Sequence, residues 1–406
     1  MVKVLSSFVR GPLEPYVTGF AEELLRQGYS RSSAGQHVCF IAHLDRWMLA
    51  ADVGLVQLSG PVIERYLAAR CAAGYREYRS PRAVAPLLSY LAPLGVLPAP
   101  AAVALGPVEA LLGGYRAWLL AERGLTDRTV RGYVDCVRPF VTGRLRGDVL
   151  DLAGLTAGEV TGFVLQVCPG RAVGSAKLIV CALRSLLRWL HLTGTVPVSL
   201  AAAVPSVAGW RLSGLPKGLE PGQLRRLLGA CDRRTPTGRR DYAIMLLLVR
   251  LGLRAGEVAR LGLDDIDWRR GEIAVLGKGN RAERLPLPAE VGAAIAGYLR
   301  HGRPGTAAGR SVFVRVHAPH RALTTGGVTM VVFDAAQRAG LGRIYAHRLR
   351  HTAATAMLQA GSPLAEVGQV LRHRSALTTA IYAKVDRDAL AVLARPWPVD
   401  ASAGVS

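Results

Sequence analysis

Lysine is scarce in this chain of 406 residues: Lys3, Lys177, Lys217, Lys278 and Lys384 are the only ones among 51 cations, and the rest are arginine. Carboxylates are few as well, 29 against those 51, which leaves a formal charge of +22. A protein this basic meets a polyanion. Arginine pairs bidentately with phosphate and keeps its charge at any relevant pH. Paired cysteines are missing: Cys39, Cys71, Cys136, Cys168, Cys181 and Cys231 include no CxxC and none beside a His at zinc spacing. That excludes a disulfide scaffold or zinc module and points to a reducing cytoplasm. The N-terminus has no apolar core followed by a small-residue cleavage site. One charge-free run, between Arg82 and Glu109, is long enough for a membrane span, but it carries Pro86, Pro93, Pro98, Pro100 and Pro107. Five prolines break a helix repeatedly, so Pro93–Pro107 reads as a linker and no membrane partner is expected.

The composition is that of a globular chain, 50% hydrophobic and 20% charged, which excludes a disordered or collagen-like protein. The length suits two or three domains of about 100–200 residues. Charge is uneven. Residues 1–99 hold 10 cations and 7 anions, residues 100–210 hold 11 and 7, and residues 211–406 hold 30 and 15. Polyanion binding should therefore centre on the C-terminal half.

Hydrophobic periodicity predicts a mainly α protein. Residues 1–100 read as one helical domain and 106–200 as a second. Residues 201–216 read as a small, apolar linker, 217–390 as a C-terminal domain and 391–406 as a tail. The first two look like copies of one unit. Gln27-Gly28-Tyr29-Ser30 answers Arg123-Gly124-Leu125-Thr126 at an offset of 96, and Tyr90-Leu91 answers Trp189-Leu190 at 99. Turn residues match along with apolar ones, as in an internal repeat. In the C-terminal domain helices are interrupted by strands at Glu272–Leu276 and Glu283–Leu287. These form a small antiparallel hairpin with Lys278 at its tip.

Four segments of the last third gather cations and proton-transfer groups. LGLRAGEVARL carries Arg254 and Glu257, and LGKGNRAERL carries Lys278. AHRLRHTAATAML carries His347, Arg350 and His351, and LRHRSALTTAIYAKVD carries His373 and Tyr382. Arg254 opens a helix, where both the helix start and the guanidinium favour an anion. Glu257 lies one turn on and can orient it. His347 and Arg350 are three residues apart and share a face. His373 and Tyr382 suit two short helices with a turn near Ser375-Ala376. Singly, each residue has a plainer reading: a solvated arginine, a capping histidine, a half-buried tyrosine. Together they are a poor metal site and a good phosphodiester site. Arginines clamp the non-bridging oxygens, a Lys or His supplies a proton, and a tyrosine attacks.

In order and spacing these segments resemble the tyrosine recombinase (phage integrase) family. Its signature is an Arg in a T/L-G-L-R-x-x-E box, a hairpin Lys, an H-x-L-R-H box and L-G-H-x-x-x-x-T-T-x-x-Y. The match falls at Arg254, Lys278, His347, Arg350, His373 and Tyr382. It departs at Arg372, where Gly is usual. The resemblance is strong over about 217–390. It implies that 217–390 is the catalytic domain and 106–200 a SAM-like core DNA-binding domain, with 1–100 its second copy. It further implies attack by Tyr382 on a scissile phosphate, giving a 3′-phosphotyrosyl link and a free 5′-hydroxyl, with no metal, ATP or other cofactor. Lys278 would protonate the leaving oxygen, His347 would assist proton transfer, and His373 would bond a phosphate oxygen. Glu257 and His351 would support. The implied partner is double-stranded DNA with inverted-repeat sites, bound by a homo-tetramer, alone or with related recombinases, in a cytoplasmic nucleoid. Residues Asp386–Leu393 read as a helix for docking on a neighbouring protomer.

The expected function is a site-specific recombinase or integrase of a mobile element. A Xer-like dimer-resolution recombinase is the alternative, against which the long N-terminal region counts. A type IB topoisomerase shares the nucleophile but has no use for a docking helix. A non-catalytic DNA-binding accessory has no use for the complete set of six residues.

Overall fold

The structure, a computed structural model, describes residues 9–98, 105–208, 218–277, 282–372, 379 and 382. Helices dominate, with small antiparallel sheets. Among the described residues, no helix is long and apolar enough to cross a membrane. Residues 105–208 fall in one compact unit, and residues 9–98 with those from 218 onward fall in the other.

Residues 9–98 build four helices: α1 (Val17–Arg26), α2 (Arg31–Ala50), α3 (Gly60–Ala72) and α4 (Pro81–Leu91). Ser30 caps α2, its side chain accepting from the Ser33 N–H. Pro61 and Pro81 sit in the first turns of α3 and α4, where a missing N–H costs nothing. Phe20, Leu24, Val38, Ile41, Leu44 and Leu87 fill the core. Asp45 and Arg70 are its buried charged side chains among the described residues. Asp45 is buried, and its carboxylate accepts from the backbone N–H groups of Arg10 (3.1 Å), Gly11 (2.7 Å) and Leu13 (2.8 Å). A carboxylate on α2 thus anchors the chain entering α1.

Residues 105–208 repeat this layout with α5 (Pro107–Ala121), α6 (Asp127–Thr142), α7 (Ala157–Val167) and α8 (Val173–Leu192). The likeness reaches the side chains. Phe20 of α1 meets Tyr90 of α4 at 5.7 Å between ring centroids, and Tyr115 of α5 meets Trp189 of α8 at 5.5 Å. Gly28 (φ +88°) and Gly124 (φ +54°) occupy the same turn between first and second helices. Both are left-handed positions that favour glycine. Thr156 caps α7 reciprocally with Glu159, a capping box. The middle unit adds a two-stranded hairpin, β1 (Leu145–Arg146) and β2 (Val149–Leu150), which the sequence reading did not anticipate.

The stretch 201–216 reads as a linker, yet its first part belongs to the middle unit. Leu200, Ala201 and Val204 are buried. The Arg184 guanidinium donates to the Val204 carbonyl at 2.8 Å, and the Thr161 hydroxyl donates to that of Ala203 at 3.1 Å. Small apolar residues close the bundle here. Residues 209–217, the docking helix expected over Asp386–Leu393 and the tail 391–406 lie outside the described residues.

The C-terminal region is organised on α10 (Pro236–Arg250), whose run Ala243–Val249 is entirely buried. A helix apolar on every side must be covered by neighbours. Around it lie α9 (Pro221–Gly229), α11 (Ala255–Arg260), α12 (Ala289–His301), α13 (Thr325–Arg338) and α14 (Ala346–Gln359). A three-stranded sheet joins β3 (Ile266–Asp267), β4 (Glu272–Leu276) and β5 (Ala282–Pro286) in that order, all antiparallel. Alternation along β4 buries Ile273 and Val275. The returning strand begins one residue before its expected start at Glu283. Last comes α15 (Leu364–Val370).

Asp45→Ala leaves three backbone donors without their acceptor. The expected cost to the N-terminal unit is about 3 kcal/mol. Hydrogen exchange should speed up over residues 10–13 and α2 and stay unchanged in α10. Unchanged exchange over residues 10–13 would mean that the carboxylate is dispensable.

Candidate active site

Helix α14 carries three of the chemistry-bearing groups. Its inner face reads Ala346, Leu349, Ala353 and Ala354, all buried, and Arg350 lies within that face. The guanidinium is only 2% exposed. It stays inside because its two ends donate to main-chain carbonyls, Nη1 to Gly252 and Nη2 to Leu371. Gly252 is at φ +57°, and a Cβ there would collide with the Leu371 side chain. Burial, and then the Arg254 charge, pull the Arg350 pKa down to about 10, which still leaves it protonated at neutral pH.

Arg254 stands at the N-cap of α11, as its place before Ala255 predicts. Its side chain is 39% exposed. Glu257, one turn on, holds it twice: Oε2 accepts from the Arg254 backbone N–H at 2.8 Å, and Oε1 accepts from Nη1 at 2.7 Å. The other end, Nη2, donates to the Arg372 carbonyl at 3.2 Å. Glu257 is itself buried. Burial disfavours its charge, but the Arg254 N–H and the guanidinium groups of Arg372 and Arg254 outweigh this and hold its carboxyl below the usual range.

Tyr382 is 2% exposed, its ring packed with Ala354, Val367 and Leu371. The Tyr382 hydroxyl lies 2.7 Å from Nδ1 of His351. Burial raises the phenol pKa, and the nearby Arg350 charge partly opposes this. The His351 pKa is pulled down to about 4, by burial first and then by the His347 and Arg350 charges. A neutral ring with an open Nδ1 can accept the phenolic proton. The His347 ring stands against His351 at 4.4 Å between centroids, nearly perpendicular. Partial desolvation, Arg350 and Arg254 lower the His347 pKa as well.

The fold therefore brings Arg254, His347, Arg350 and Tyr382 to one place. Lys278 and His373 lie outside the described residues. The strands leading to Lys278 are paired as far as Leu276 with Ala282. Two roles exceed what the sequence assigned. His351 meets the Tyr382 hydroxyl itself, a contact its i,i+4 spacing from His347 hints at. Arg372 is buried and ion-paired to Glu257 at 2.7 Å, which no local pattern announces. Among the described residues, no three His, Cys, Asp or Glu side chains converge as metal ligands. Two arginines facing a phenol polarised by imidazole are suited to attack on a phosphodiester.

The sequence model of the phage integrase family matches residues 217–388. The chain is 40% identical over 402 residues to the y4rA protein of Sinorhizobium fredii, named as an integrase/recombinase, covering 98% of this chain and 97% of that one. It is 30% identical over 296 residues to the tyrosine recombinase XerD of Mycobacterium tuberculosis, covering 69% of this chain and 94% of that one. In fold it is similar to the XerH site-specific recombinase bound to a palindromic difH substrate in a post-cleavage complex. There the TM-score is 0.57 at 19% identity, over 83% of this chain and 95% of that one.

The lowered His351 pKa has a measurable sign. Between pH 6.5 and about 4 the unfolded chain binds a proton at His351 that the folded chain refuses. Stability is therefore lost as pH falls through that window. His351→Gln should flatten the decline of the unfolding midpoint between pH 6.5 and 4.5. An unchanged decline would locate the acid sensitivity elsewhere.

Proposed function

The chain belongs to the phage integrase family of tyrosine recombinases, and from that premise we propose how its own residues cut and rejoin DNA. It is a site-specific DNA recombinase. The observation that carries the residue assignment is the Tyr382 hydroxyl resting on His351, with the Arg350 charge acting on both the phenol and the imidazole and Arg254 close to Arg350.

Tyr382 attacks the scissile phosphorus. The phenolic proton passes to Nδ1 of His351, a phosphotyrosyl bond forms at the 3′ end, and the bond to the 5′ oxygen breaks. An isolated phenol has a pKa of about 10, so an acceptor in hydrogen-bonding reach removes a proton that water would take slowly. Arg254 and Arg350 neutralise the charge that gathers on the non-bridging oxygens. By resemblance, Lys278 protonates the leaving 5′ oxygen, His347 assists proton transfer and His373 bonds a phosphate oxygen. The phosphotyrosyl link conserves the energy of the broken bond, so rejoining is the same steps in reverse with a new 5′-hydroxyl.

The substrate is double-stranded DNA with inverted-repeat sites, bound by a homo-tetramer, and the reaction serves a mobile element in the cytoplasm. The name integrase/recombinase carried by the y4rA relative agrees with this reading. By resemblance, 217–390 is the catalytic domain and 106–200 the core DNA-binding domain. The shared helix layout supports 1–100 as its second copy.

Nicked duplexes tiled across the flanks of the gene test this directly. Wild type should leave a DNA adduct that survives denaturing gels. Tyr382→Phe should leave none while binding the same duplex, and His351→Ala should slow adduct formation by about 10²–10⁴-fold, the usual worth of a general base. An adduct that persists in Tyr382→Phe would assign the nucleophile to another residue.

A further inference from the structure

Arg372 sits where the recombinase signature has glycine, and its backbone shows why: φ is +54°, the left-handed region. Glycine would occupy this turn freely. This chain instead places the longest cationic side chain there and buries it, with 3% of the side chain exposed. Burying a guanidinium at a left-handed position is doubly unfavourable unless its contacts compensate.

Those contacts tie together segments far apart in sequence. Nη2 of Arg372 donates to Oε2 of Glu257 at 2.7 Å. Its carbonyl accepts from Arg254 Nη2 at 3.2 Å. Glu257 in turn holds Arg254, so Arg254, Glu257 and Arg372 close a ring of hydrogen bonds. The Nε edge points towards Glu283 on β5, 4.0 Å away. Among the described residues that Nε has no hydrogen-bond partner. Strand β5 pairs with β4 as far as Leu276 with Ala282, and Arg372 immediately precedes His373 in the sequence.

We propose that Arg372 is a positioning residue of the cleavage reaction: it fixes Arg254 through Glu257 and its own carbonyl, with Glu283 of β5 at most a weaker, second carboxylate for its Nε edge. The inference rests on the recombinase reading of the site. Arg372 does not itself meet DNA, because its guanidinium is enclosed. A second cation on Glu257 also offsets the carboxylate charge, which would otherwise weaken the field that Arg254 presents to a phosphate.

The test uses full-length protein and the nicked duplex that gives the wild-type adduct. Single-turnover adduct rates at saturating protein are compared with dissociation constants at several salt concentrations. Arg372→Gly should slow adduct formation on the order of tenfold to hundredfold, the cost of a misplaced catalytic group. Its dissociation constant should stay within about threefold, with the wild-type salt slope, because no phosphate contact is removed. Arg372→Lys should recover part of the rate. Glu283→Gln should lose less than Arg372→Gly. A wild-type rate in Arg372→Gly, or a salt slope reduced by about one, overturns the proposal.

Wild-type adduct is the control for the recombinase reading. If no duplex traps wild type, that reading fails, and DNA-free unfolding midpoints of Arg372→Gly, Glu257→Gln and the double variant judge the tie alone. A double variant no less stable than the weaker single one supports the tie, and additive losses overturn it.

Discussion

A buried guanidinium holds the catalytic region together. Arg350 bridges the carbonyl of Gly252, before the Arg254 helix, to the carbonyl of Leu371, before the segment that leads to Tyr382. Removing one partner of such a buried charge costs far more than the pair contributes net. The geometry around it is accordingly tight. Gly252 needs its positive φ and its missing Cβ to bring a carbonyl so near, and Leu371 packs into the space that a side chain there would fill. From this one residue follow the placing of Arg254 on one side, of Tyr382 on the other, and of both histidines along α14.

Charge bookkeeping at the site explains the behaviour of its titrating groups. Arg254, Arg350 and Arg372 surround one buried carboxylate, Glu257, and of the three guanidinium groups Arg350 and Arg372 are closed to water. Burial first, and then the surplus of positive charge, depress the pKa values of Arg350, His347 and His351, while the Arg254 N–H and the Arg372 and Arg254 guanidinium groups outweigh burial and hold the Glu257 carboxyl below its usual range. On the proposed assignment, the negative charge of a phosphodiester and of its transition state would meet this surplus, the preorganisation that charge-stabilising catalysis requires. Burial, with the same surplus, favours neutral His351, the state in which it could take a proton from Tyr382.

Much of this was legible because the signals are local. Helix starts follow from Ser30, Thr156 and Pro221, and the hairpin from the alternation in Glu272–Leu276 and its Gly/Asn turn. Arg254 at an N-cap and His347 with Arg350 on one helix follow from spacing alone. Contacts across long sequence separation were not legible. Asp45 anchoring residues 10–13, Val204 closing the middle bundle and Arg372 reaching Glu257 over 115 residues have no periodic trace. Arg372 was visible only as a departure from a glycine, and the direction of its side chain is decided by where the tertiary fold places a carboxylate.

The proposed nucleophile and the arginines beside it differ in access. Tyr382 is almost wholly enclosed, while the Arg254 side chain is 39% exposed. Arg254 is therefore the arginine of this site that an incoming phosphate can reach from solvent. Among the described residues Tyr382 packs with Ala354, Val367 and Leu371, with Met357, Leu358 and Leu364 at the edge. The buried cluster is distinct from the core around α10. The same packing sets the Tyr382 hydroxyl 2.7 Å from Nδ1 of His351. On the proposed assignment, the packing of one aromatic ring is what holds the phenol against the imidazole that would take its proton.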